Sequence, residues 1–67
     1  MFAKKLVKFT TLDGKGLALA LFSIDRVEEL GARMCRIVTF GENSTVHTVN
    51  GLFDDVVAKI EEAAYPK

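Results

Sequence analysis

Seven consecutive residues, Gly16-Leu17-Ala18-Leu19-Ala20-Leu21-Phe22, carry no polar side chain. In an extended chain Leu17, Leu19 and Leu21 share one face, and Ala18, Ala20 and Phe22 share the other. The run is far short of the roughly 20 apolar residues that a bilayer-spanning helix needs. It reads as a β-strand covered on both sides. The chain has 67 residues and one cysteine, enough for a single small domain over 1–67. A domain of about 60 residues buries only about 60% of the surface its unfolded chain exposes. Cys35 has no disulfide partner, and Cys35 with His47 falls short of the four ligands of a structural zinc site. A helix supplies one cover for residues 17–22; a second copy of the chain is expected to supply the other.

The neighbouring pattern gives an antiparallel frame. Residues 4–11 alternate, with Val7 and Phe9 opposite Lys8 and Thr10. Leu12-Asp13-Gly14-Lys15 follows, and Asp-Gly suits a tight primed hairpin turn. Ile24, Val27 and Leu30 recur every three residues, but Gly31 stops the segment. Residues 23–30 therefore read as a bend and a short, bulged strand, with a helical turn as the alternative. Residues 33–40 alternate Cys35, Ile37 and Thr39 against Met34, Arg36, Val38 and Phe40. Residues 41–44 are a turn, and 45–49 are a β-branched strand. Asn50 can cap a helix whose first turns hold Asp54 and Asp55, whose stripe is Phe53, Val56, Val57, Ile60 and Ala64, and which Pro66 ends. The fold class is α+β: an antiparallel meander of four to five strands with one C-terminal amphipathic helix packed on the sheet.

Nine basic and nine acidic residues cancel, so no whole-molecule attraction to nucleic acid or membrane is expected. The division is uneven: residues 1–40 carry a net +3 and residues 41–67 a net −3. Lys4, Lys8, Arg33 and Arg36 form a candidate patch for an anionic partner. Phe2, Phe9 and Phe40 are the nearby aromatics of a minority nucleic-acid reading, and their patterns suit packing. No targeting segment stands out, because Lys8 interrupts the apolar residues after Lys4-Lys5. A lone cysteine fits a reducing, cytoplasmic setting.

Chemistry is sparse. Cys35 and His47 are the one pair that could join a nucleophile to a base. The turn at 41–44 sets His47 opposite residue 37 or 38, leaving Cys35 a diagonal neighbour at best. Cys35 reads as a small core residue and His47 as a strand residue near the surface. The pairs Asp54-Asp55, Glu28-Glu29 and Glu61-Glu62 are adjacent and point apart on a helix. Gly14-Lys15-Gly16 lacks the spacing of a phosphate loop. No enzyme, cofactor or metal site is expected.

The order Phe9-Thr-Thr-Leu-Asp-Gly-Lys15, Leu19, Ile24, Val27-Glu28-Glu29, Ile37-Val-Thr-Phe, Val46, Val49 and Val56-Val57-x-x-Ile60 resembles the small FlbD-like proteins. Those are short bacterial proteins encoded with flagellar genes. The likeness covers residues 7–60 and implies no catalytic residue. The family's Asn-Gly at the first turn is Asp13-Gly14 here, and the Asn after its second strand is Ala20. Many small phage proteins share the strand-and-helix pattern. The expectation is a non-catalytic protein–protein interaction module of bacterial or phage origin that acts as a homo-oligomer. Its contacts would come from Leu17, Leu19, Leu21 and Phe22, each of which core packing also explains. The alternative is a small nucleic-acid-binding regulator using the basic sheet face.

Overall fold

The computed structural model describes residues 5–41 and 45–65. β1 (Leu6–Thr11) and β2 (Gly16–Ala20) form a hairpin, followed by a one-turn 3-10 helix (Leu21–Ser23). Three further strands, β3 (Ile24–Gly31), β4 (Met34–Thr39) and β5 (Val46–Asn50), form a meander. Helix α1 (Phe53–Ala64) ends the described chain. The sheet is antiparallel, with strand order β2-β1-β5-β4-β3. The α+β architecture expected from the alternation is the one found.

The meander closes on itself through β1 and β5, which share only two pairs, Thr10↔Asn50 and Thr11↔Val49. The outermost strands, β2 and β3, are nevertheless joined by only three residues. Four strand spacings in a flat sheet span about 19 Å. The chain from Ala20 to Ile24 spans at most about 14 Å, and less when it is wound as a 3-10 turn. The sheet must therefore roll. Its concave face carries Val7, Phe9, Cys35, Ile37 and Val49, and α1 lies over them with Val56 buried. Phe53, Ile60 and Ala63 pack around that centre. Lys59 adds a cation–π contact, its Nζ 5.7 Å from the centre of the Phe9 ring.

Several local expectations change. The apolar strand at 17–22 ends at Ala20. Leu21 keeps its N–H on the Lys5 carbonyl (2.9 Å) and turns inward, while Phe22 turns outward. The 3-10 turn thus lies before β3, and residues 24–31 are the bulged strand, with register shifts at Ile24/Arg26 and Glu29/Gly31. In the first hairpin Gly14 alone takes positive φ (+85°), and its N–H bonds the Thr11 carbonyl at 3.0 Å. That is a type I turn followed by a left-handed glycine rather than a primed turn. Thr11 Oγ1 also donates to the Asp13 carboxylate, which holds Asp13 below the usual carboxylate range.

Asn50 belongs to β5 and does not cap α1; the cap position is Leu52, which offers no side-chain bond. Asp54 and Asp55 in the first turn supply the negative charge that the helix N-terminus favours. Phe53, Val56 and Ile60 keep the expected face of the helix, while its last inward residue is Ala63 and Ala64 is exposed. Gly51, at φ +148°, makes the corner between β5 and α1. Its N–H reaches the Arg33 carbonyl at 2.8 Å, and a Cβ there would lie 3.3 Å from Val56 Cγ2. The expected stop at Pro66 and most of the turn at 41–44 lie outside the described residues.

Candidate interaction surface

A concavity of about 500 Å³ opens where the 3-10 turn and the start of β3 meet the second half of α1. Its floor is Leu21, Ile24 and Val27, and its helical wall is Val57, Ile60 and Ala64. Phe22 and Phe40 stand at the mouth. The Phe40 N–H donates to the Ser23 carbonyl (3.1 Å), which pins the end of β4 against the 3-10 turn and sets the two rings on one patch. Phe22 is 80% exposed and Phe40 56%. In so small a chain these are large apolar groups to leave in water, and exposed clusters of this kind mark interaction sites.

The rim is charged. On one side the Arg26 guanidinium bridges Asp25 (3.2 Å) and Glu28 (3.3 Å). Across the groove stands Glu61, which has no ion pair among the described residues. With the Arg26 charge committed to two carboxylates, the mouth is left with an acidic balance.

The four residues expected at an interface separate. Leu21 is core; Leu17 and Leu19 are half-buried against the core; Phe22 is exposed. Among the described residues nothing covers the other face of β2, where Ala18 is exposed. In the proposed basic patch, Lys8 and Arg36 share the convex face with β5 between their strands, and Arg33 sits in the β3–β4 turn. Arg36 is paired with Glu28 at 3.3 Å. Lys4 lies outside the described residues. Val57, Ile60 and Glu61 were not read as surface-site residues from the sequence, and Phe40 was named only as an aromatic of the nucleic-acid reading. The one signal for Phe40 was an aromatic placed on the face opposite Cys35 and Ile37.

Cys35 and His47 do not meet. Cys35 pairs across the ladder with Val49, and His47 with Ile37. The Cys35 thiol donates to the Gly51 carbonyl (3.6 Å), while His47 Nε2 bonds Thr45 Oγ1 (2.9 Å). Burial, with help from the Glu29 charge, pushes the Cys35 thiol up, away from the reactive thiolate. Among the described residues no three His, Cys, Asp or Glu gather as metal ligands, and no helix is long and apolar enough to cross a membrane.

Comparison of the chain with protein-family models, curated proteins and solved structures gives no match.

Proposed function

We propose that the chain is a small, non-catalytic protein–protein interaction module that works as a homo-oligomer. We read its groove as the seat for an apolar segment of another protein. The observation that carries this reading is the open apolar groove at whose mouth Phe22 and Phe40 stand exposed. The acidic rim selects the occupant: aliphatic anchors beside a basic residue that meets Glu61. The inert thiol and the separation of Cys35 from His47 support a role without catalysis. A cytoplasmic bacterial or phage setting, and kinship with FlbD-like proteins, belong to the same reading and rest on the sequence pattern.

Two measurements test it. Sedimentation at micromolar concentration is expected to give at least twice 7.4 kDa. An NMR titration with a short amphipathic peptide carrying leucine anchors and a flanking arginine is expected to shift Val57, Ile60 and Ala64. The same peptide with a flanking glutamate is expected to bind more weakly. A monomer that ignores both peptides overturns the reading.

A further inference from the structure

The two ends of the sheet are built differently. β3 is guarded: two register shifts interrupt it, and it carries Asp25, Arg26, Glu28 and Glu29. Bulges and charges of this kind keep an edge from pairing with another chain. β2 has neither device. Its sequence, Gly-Leu-Ala-Leu-Ala, is uncharged, and its five pairs with β1 run without a shift.

The hydrogen-bond phase of β2 is fixed at both ends. Thr11 N–H donates to the Lys15 carbonyl (2.8 Å), and Leu21 N–H to the Lys5 carbonyl (2.9 Å). Antiparallel bonding alternates, so Leu17 and Leu19 also direct their backbone groups toward β1. The N–H groups of Gly16, Ala18 and Ala20, and the carbonyls of Gly16 and Ala18, point away from the sheet. The residues with outward donors are thus the three with the smallest side chains.

We propose that β2 pairs antiparallel with β2 of a second copy about a two-fold axis through Ala18, joining two rolled sheets into one. This rests on the reading of the chain as a self-associating module and gives that association a geometry. The strand is its own complement. Ala18 meets the partner's Ala18 as a doubly bonded pair, and Gly16 meets the partner's Ala20. Leu17 then faces the partner's Leu19 at a non-bonded position, where side chains approach most closely. Both leucines already lean on the core and are half-buried; the pairing covers what remains. No charged residue lies within the paired segment, so no like charges are opposed. The Phe22 groove stays open, and the dimer offers two of them.

Charge at the axis is the test. Ala18→Lys and Ala18→Glu each set like charges face to face and are expected to weaken the dimer about tenfold or more. An equimolar mixture of the two is expected to sediment as a dimer again. Ala18→Pro removes the central outward N–H at a position where an edge strand tolerates proline. It is expected to be monomeric with an unchanged circular-dichroism spectrum. If that variant fails to fold, the charge pair decides. A monomeric wild type overturns both this geometry and the self-association behind it. A dimer that survives all three variants but dissociates with Phe22→Ser overturns the β2 pairing alone and moves self-association to the groove.

Discussion

β2 is the more uniformly apolar of two strands, and β4 is the more deeply buried. β4 carries Arg36 and Thr39, yet Cys35 and Ile37 within it have no exposed surface. β2 carries nothing polar, yet its two leucines are only half-buried and Ala18 faces water. The difference is position. β4 is flanked by β3 and β5 and roofed by α1, so one alternating face is sealed from every direction. β2 has one neighbour, and α1 packs mainly on β1, β3, β4 and the 3-10 turn. Apolar content states a demand for cover; place in the sheet decides how much of it the chain itself meets. The surplus on β2 is the physical case for a partner.

Substitutions that sample the two strands sharpen this contrast. Ile37→Ala, at the sealed centre, is expected to cost about 2–5 kcal/mol in urea unfolding. A loss below about 1 kcal/mol would break the contrast. Gly51→Ala forces a side chain into positive φ and against Val56 at the corner that bonds the residue just before β4. It is expected to cost more than about 1 kcal/mol by the same measurement. Leu19→Ala, measured at a concentration where the chain is monomeric, is expected to cost about 1–2 kcal/mol, because part of that side chain is wet already.

Cys35 contributes in the alkaline range. Its folded value lies above the unfolded one, so its share of stability is complete at neutral pH. That share is lost as pH rises past about 8.5 and the unfolded thiol ionises first. Urea midpoints compared with those of Cys35→Ala at pH 7 and in that range should converge as pH rises. Phe22→Ser comes last: with a ring that is largely in water, monomer stability should move by no more than about 0.5 kcal/mol.

The alternation in β1 and β4 made those strands legible, because one buried face imposes a period of two on any sequence. The interruption of β3 was legible too, since three-residue spacing ending at a glycine fits neither a plain strand nor a helix. What failed was non-local. Nothing near residue 20 says that the chain must turn there to reach the far side of the sheet, so Leu21 and Phe22 read as strand. Asn50 has the chemistry of a cap, but pairing with Thr10 claims it for β5. The helix stripe was legible through Phe53, Val56 and Ile60, and only its last member differs: Ala63, three residues after Ile60, packs on the core where Ala64 was expected. The groove was the least legible feature, because its floor and its helical wall come from segments far apart in the chain and no local pattern brings Phe22 to Ile60.

The three-residue joint after β2 also governs which molecule a strand may fold with. A hinge of only three residues, once it opens into extended chain, carries its hairpin away from its own sheet, so a short joint of this kind invites exchange with a neighbour. What opposes that exchange here is the winding of the joint into a 3-10 turn, with Leu21 buried in the chain's own core and its N–H on the Lys5 carbonyl. Inserting a flexible segment between Ala20 and Ile24 would let the hairpin fold back on its own sheet more freely, whereas shortening the joint would push the chain toward exchange.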